Sequence, residues 1–373
     1  MKLGSRVRGR RLPEVRRLAA PLAGLAAVGA FWFGVVGVSG GRVLGAQRAR
    51  GMAAVDNHPT VSGKGTVSFS AVVNPNGRAT TAYFEFGLDP RYSEPRPRRV
   101  VYAERTPAVH LAADAATHLV SGSVAGLLPN ALYHLRLVAT SSAGTVRSGD
   151  TTFRTAKDPA PPPPVIGKTA NVAPVSGLVF IELARTKSAQ ASATTGPANG
   201  PGFLPLTEPR QLPVGSSIDA RAGAWQVMVA SAHGRGRQRS TLTGALVSLS
   251  QTRSGRRKGL TTLDLLEGAF AGAPTYSSCR TPTVAKPYGP APVTPALSSR
   301  VLQTLRARDR AGSFRILGRY SVATVGPGTV SDTVDRCDGT LTVVHRGTAN
   351  VDDLERHTTI VVRAGQRYLA TAP

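Results

Sequence analysis

From residue 57 onward, apolar residues recur at alternate positions in short stretches, a period that predicts β-strands rather than helices. Thr66–Val73 places Val67, Phe69, Ala71 and Val73 in phase. Thr80–Gly87 puts Phe84 and Phe86 on one face, with Tyr83 and Glu85 on the other. Asn74-Pro75-Asn76-Gly77 separates these two runs, and Asn-Gly is a strong tight-turn signal. Val120–Val124, Leu132–Ser141 and Thr151–Thr155 continue the pattern. About seven short strands in about 100 residues predict a Greek-key β-sandwich over residues 57–155.

Strand signals resume beyond residue 165. They cover Gly177–Leu183, Trp225–Ala230, Ala245–Ser250, Leu260–Leu265, Tyr320–Val325, Thr340–Val344 and Thr358–Val362. These runs predict a second β domain over residues 165–373, so the fold class is all-β. Between the two domains, residues 156–164 hold Pro159 and the run Pro161–Pro164. That composition predicts a polyproline II linker, a semi-rigid spacer. Two stretches break the second domain: 184–202, rich in Ser, Thr, Ala and Gly, and a Pro-rich insertion at 271–295.

One segment has the opposite pattern. Leu18–Val38 runs 21 residues without a charge, behind the basic tail Met1–Arg17. As a helix it would be about 31 Å long, close to the roughly 30 Å hydrocarbon core of a bilayer. Basic residues ahead of it orient the N-terminus to the cytoplasm. Residues 1–50 are therefore expected to be a transmembrane anchor or a cleaved signal segment. The best small-x-small cleavage text, Leu44-Gly45-Ala46, has a bulky first residue. Either way the remainder is exported, single-pass anchored or secreted.

Composition sharpens the picture. Lys+Arg is 46 against 21 Asp+Glu, a net charge of +25. The first fifty residues hold ten basic residues and one acidic residue, which leaves about +16 on the exported part. Seven lysines against 39 arginines is also what GC-rich codons produce, so charge alone does not name a partner. Two cysteines exclude a disulfide-dense mini-scaffold and a four-cysteine zinc site. In an exported chain the pair Cys279 and Cys337 is expected to be a disulfide.

Gly126-Leu127-Leu128-Pro129-Asn130-Ala131-Leu132-Tyr133 contains a Leu-x-Pro-x-x-x-Tyr run. It resembles the tyrosine corner of fibronectin type III domains, with Leu127, Pro129 and Tyr133 as its structural residues. Tyr133–Gly144 and Thr151–Thr155 also look like that family's last two strands. The family often buries a tryptophan in an early strand. This region has none, so Phe69, Phe84 and Phe86 are expected to fill the space. The resemblance carries over no catalytic residue.

Leu212-Pro213-Val214-Gly215-Ser216-Ser217-Ile218-Asp219-Ala220-Arg221-Ala222-Gly223 resembles the first signature of FecR-like extracytoplasmic domains. A second signature is spread over Gly328-Thr329, Cys337–Val344, Gly347–Val351 and Val361–Gln366. The resemblance implies an extracytoplasmic β module. FecR-type transducers place a sizeable sigma-factor-binding domain before the membrane span. Here only about 17 residues precede it, so direct sigma-factor control is not expected.

Chemistry-bearing patterns are sparse. No Gly-x-Ser-x-Gly elbow, phosphate-binding Gly-x-x-x-x-Gly-Lys-Ser/Thr loop or zinc-type histidine spacing occurs. Asp332, Asp335 and Asp338 fall every third residue, a spacing compatible with calcium or with a turn and ion pairs. No enzyme activity, cofactor or metal is expected. The basic clusters remain: Arg235, Arg237 and Arg239 in one, and Arg253, Arg256, Arg257 and Lys258 in the other. Both are expected in hairpin loops flanking one strand. Side by side they would form a cationic end for anionic polymers; the alternative is solvated, codon-driven arginine. Neither loop has stacking aromatics, which disfavours nucleic acid.

The expectation is a non-catalytic, exported bacterial envelope protein for surface binding or scaffolding. Its partners would be the membrane, through the N-terminal helix, and an anionic cell-wall polymer or another envelope protein. Two alternatives are a FecR-like signalling protein and accessory domains of a carbohydrate-active enzyme.

Overall fold

The computed structural model describes residues 54–55, 60–62, 66–93, 96–97, 99–184, 202–232, 236–268, 270, 272–279, 297–311 and 314–373. The expected anchor or signal segment over 1–50 lies outside the described residues. So do Arg235, residues 185–201 and residues 280–295 of the two interruptions. The described chain is all-β: its only helical elements are the short 3-10 turns Pro90–Tyr92 and Tyr276–Cys279. Among the described residues, no helix is long and apolar enough to cross a membrane.

The first domain is two sheets face to face. In the smaller, Val67–Asn74 pairs with His118–Val124 along one edge and with Ala54–Val55 and Thr60–Ser62 along the other. In the larger, Thr80–Leu88 pairs with Leu132–Ser141, which also pairs with Thr151–Arg154 and Gly144–Arg147. Glu104–Arg105 and Val109–Leu111 close its other edge. The chain enters and leaves each sheet by crossing between them. Alternation drives this layering: Val67, Phe69, Ala71 and Val73 are buried, as are Phe84 and Phe86. The Asn-Gly turn forms as expected, with φ of 52° at Asn76 and 78° at Gly77.

No tryptophan lies in this core. Phe69 sits at its centre, 5.6 Å from Phe84, 5.9 Å from Phe86 and 5.5 Å from Phe153 between ring centroids. Tyr133 stacks on Phe153, and its hydroxyl accepts a 2.9 Å hydrogen bond from the Leu128 N–H. Burial pushes the phenol up to about 12, so it stays protonated. Tyr133→Phe keeps the ring and orphans the Leu128 N–H. It is expected to cost about 1–2 kcal/mol in chemical denaturation, and no loss would mean that this bond does not hold the corner.

The second domain is two long sheets. One has eight strands in the order Arg210–Pro213, Thr169–Gly177, Gly223–Ala230, Arg237–Thr243, Val301–Ala311, Val330–Arg336, Gly339–Arg346 and Arg367–Thr371. The other has nine, from Leu204–Pro205 through Phe180–Glu182, Ser217–Asp219, Leu246–Gln251 and Thr261–Leu265. It continues through Phe314–Leu317, Ser321–Val325 and Thr348–Asp353 to Thr358–Arg363. All pairings in this domain are antiparallel except Thr261–Leu265 with Phe314–Leu317. One continuous core lies between the sheets, with Trp225, Leu242, Leu305, Ile218, Leu263 and Ile316 fully buried.

The proline linker does not stand free as a spacer. Asn171 Nδ2 and Gln211 Nε2 donate to the Pro162 carbonyl at 2.8 and 3.0 Å, laying the segment against the eight-stranded sheet. The sandwich also touches the second domain directly: Thr207 Oγ1 donates to the Pro129 carbonyl at 2.6 Å. A polyproline segment carries unpaired carbonyls along its length, and two amide side chains on adjacent strands are placed to use them.

Candidate functional site

The second basic loop meets the described residues that flank the first. Gly259 is buried against Ala232, so close that a Cβ there would lie 2.8 Å from the Ala232 nitrogen. Two buried glutamines lock the contact. Gln238 Nε2 donates to the Gly259 carbonyl at 2.9 Å, and Gln251 Nε2 donates to the Ala230 carbonyl at 2.8 Å. Gln251 Oε1 also accepts from the Gly167 N–H at 2.8 Å, which brings the end of the linker to the same place.

Of the seven expected residues, six are described. Arg237, Arg239, Arg253, Arg256, Arg257 and Lys258 are all exposed. Arg253 is partly spent on structure: its Nε donates to the Gly167 carbonyl at 2.6 Å, and its side chain packs where a Gly167 Cβ would be. Arg237 and Arg239 lie on a strand rather than at a loop tip. Alternation turns both outward, while Gln238 and Ser240 face in.

The neighbouring strand extends this surface in a way the loop reading missed. Leu305-Arg306-Ala307-Arg308-Asp309-Arg310 alternates strictly, burying Leu305, Ala307 and Asp309 and exposing three arginines. Register places Arg308 opposite Thr241 and Arg306 opposite Thr243, on the same face as Arg237 and Arg239. Arg306 is neutralised by a two-pronged ion pair to Asp332, 2.7 Å on each arm, and His345 Nε2 lies 2.9 Å from the same carboxylate. Those partners hold the Asp332 carboxyl below the usual carboxylate range against its burial. Arg237, Arg239, Arg308 and Arg310 form no ion pair among the described residues. The signal was available in the sequence: arginine at every second position of a strand puts every charge on one face.

Beneath this face Asp309 points inward. Burial pushes its carboxyl up to about 7, with Ser240 on the facing strand opposing the rise. Asp309 is 3% exposed, too enclosed to meet a ligand.

Cys279 and Cys337 form a disulfide with Cα atoms 5.3 Å apart. Such a bond fits an oxidising, extracytoplasmic environment. It tethers the turn Tyr276–Cys279, where Tyr276 packs edge-on to Tyr320 at 5.9 Å and Arg319 lies 4.7 Å over the Tyr276 ring. Arg319 also pairs with Glu267 at 2.8 Å. Asp335, nearby, accepts from Thr340 Oγ1 at 2.7 Å and is almost wholly buried, which raises its carboxyl.

The three aspartates of the every-third pattern do not converge. Asp332 faces outward, Asp335 faces the core, and Asp338 sits in the hairpin turn paired with Arg336. No group of His, Cys, Asp or Glu suited to a metal ion occurs among the described residues. In the sandwich, His134 is held between Asp150 at 2.7 Å and Asp89 at 3.1 Å. Both ring nitrogens are thereby occupied, so the imidazole ties three segments together.

Compared with known proteins, the chain matches no protein-family model and no curated protein sequence.

Proposed function

We propose that this is a non-catalytic, exported envelope protein that binds or scaffolds anionic polymers through the cationic end of its second domain. The observation that carries the reading is the contact of Gly259, beside the second basic loop, with Ala232 and with Gln238 on the strand that bears Arg237 and Arg239. That contact gathers Arg237, Arg256, Arg257 and Lys258 at one place, without carboxylates paired to them among the described residues. Clustered cations on a rigid frame bind polyanions by releasing counterions, and the disulfide argues for an oxidising compartment.

Two family resemblances support the envelope setting. The crossing of strands between a small and a larger sheet and the Tyr133-to-Leu128 hydrogen bond favour a fibronectin type III-like sandwich. In the FecR-like stretches, Gly215, Gly328, Gly347 and Gly365 all adopt positive φ, and Leu212 and Ile218 point into the core. That is the turn-and-core pattern by which a sparse signature specifies a β module.

The test is binding of the full chain to isolated envelope fractions at low and at high salt. Binding should be lost at high salt, and should fall at least tenfold at low salt when Arg256, Arg257 and Lys258 become alanine. Binding that survives both changes would overturn the reading.

A further inference from the structure

The linker, the strand Gly223–Ala230 and the arginine-bearing strands together build more than a charged patch. A groove of about 310 Å³ runs along the foot of the linker on the outer face of the eight-stranded sheet. Pro161 and Pro163 form one wall, and Gln226 and Met228 form its floor. Arg237 stands on the far side. Register carries the floor straight into the arginine face: Met228 lies opposite Arg239, and Gln226 opposite Thr241, which in turn lies opposite Arg308. Asp332, with Arg306 and His345, closes the cationic field on the strand beyond.

We propose that this groove takes a phosphodiester-linked polymer of polyols or sugars, with its carbon backbone against the proline wall and its phosphates on Arg237, Arg239, Arg308 and Arg310. The proposal rests on the anionic-polymer reading and gives it a ligand chemistry. Three features select that chemistry. Guanidinium forks match phosphate oxygens two at a time, and Arg237, Arg239, Arg308 and Arg310, without ion pairs among the described residues, are all arginine. Arg237 and Arg239, two apart on one strand, stand roughly 6.8 Å apart, with Arg308 and the bulge residue Arg310 on the next strand, a row that suits a chain of repeated charges better than a single anion. The wall is apolar but carries no aromatic ring, so it offers contact to methylene and polyol carbons and no stacking platform for bases. Gln226, half-buried on the floor, supplies both a donor and an acceptor for a hydroxyl.

The experiment uses the full chain with three probes: poly(glycerol phosphate), poly-glutamate of matched charge, and vesicles of anionic phospholipid. Variants are Arg308→Gln with Arg310→Gln, Gln226→Glu on the groove floor, and the loop change of Arg256, Arg257 and Lys258 to alanine. Unchanged circular dichroism and melting would confirm that the exposed substitutions leave the fold intact. The proposal expects the phosphate polymer to bind at least tenfold more tightly than poly-glutamate. It expects the double arginine variant and Gln226→Glu each to weaken that binding at least tenfold. Equal binding of both polymers, or loss with the loop variant alone, would overturn the groove while leaving the anionic-polymer reading in place. Binding to vesicles without binding to the polymer would overturn it in favour of a lipid headgroup surface. Binding to none of the three would overturn both readings.

Discussion

Reducing the Cys279–Cys337 disulfide is expected to cost the second domain roughly 4 kcal/mol. The bond closes a loop of 58 residues, and the chain-entropy relation gives that magnitude for such a loop. Local contacts should be lost with it. The bond ties the turn Tyr276–Cys279 to the sheet alongside the hydrogen bonds of the Tyr276 N–H to Glu267 and of Arg300 to the Ser278 carbonyl, and the Tyr276–Tyr320 and Arg319–Tyr276 ring contacts sit on that turn. Cys337 is 1% exposed, so a serine there would add a buried hydroxyl. The cleaner comparison is the native chain with and without reductant, followed by urea denaturation. The unfolding midpoint should drop markedly under reduction. A shift worth less than about 1 kcal/mol would mean that the paired strands already fix this region.

The second large effect concerns pH. Asp309 titrates near its ordinary 3.8 when unfolded and at about 7 when folded, because burial disfavours its charge. Below about pH 4 both states hold the proton. Between about 4 and 7 the unfolded chain releases it and the folded chain does not. Stability therefore falls as pH rises through this window, and levels off above it. A difference of about three pH units corresponds to about 4 kcal/mol. Asp309→Asn removes the titration while keeping the shape. The variant should match the native chain near pH 4 and exceed it by several degrees in melting temperature near pH 8. Acids held low by partners, such as Asp332 and Asp89, have the opposite sign, but they cancel in the comparison. A melting difference that does not change with pH would show that Asp309 is not held protonated.

Particular strands show how far the sequence could be read. Val67–Asn74, Thr80–Leu88 and Leu132–Ser141 announce themselves because one face is apolar and the other polar. The same alternation correctly assigns Phe69, Phe84 and Phe86 to the sandwich core. Val330–Arg336 gives no such signal, and Val301–Ala311 gives it only over Leu305–Arg310, where arginines alternate with Leu305, Ala307 and Asp309. Their inward positions include Gln303 and Asp309 on one, and Ser331, Thr333 and Asp335 on the other. Burial there rests on sheet pairing and on the neighbouring apolar rows, which no local window contains. The candidate site divides the same way. Clustered cations are visible in the sequence. That Gly259 would seat on Ala232 depends on a contact outside any local window, and that Arg308 would share a face with Arg237 and Arg239 depends on pairing between strands some seventy residues apart. The linker's docking was equally hidden, since nothing near Pro162 indicates that Asn171 and Gln211 would claim its carbonyl.

The central claim is that unpaired cations on this end and face bind a polyanion through counterion release. The most direct test is the affinity of the full chain for poly(glycerol phosphate) over about 50 to 200 mM salt. Each neutralised phosphate on a flexible chain contributes about −0.7 to the slope of log affinity against log salt. The four arginines of the face and the three cations of the loop therefore predict a slope of about −5, falling toward about −3.5 when Arg308 and Arg310 are replaced by glutamine. A slope near zero, or one that the replacement leaves unchanged, would contradict the account.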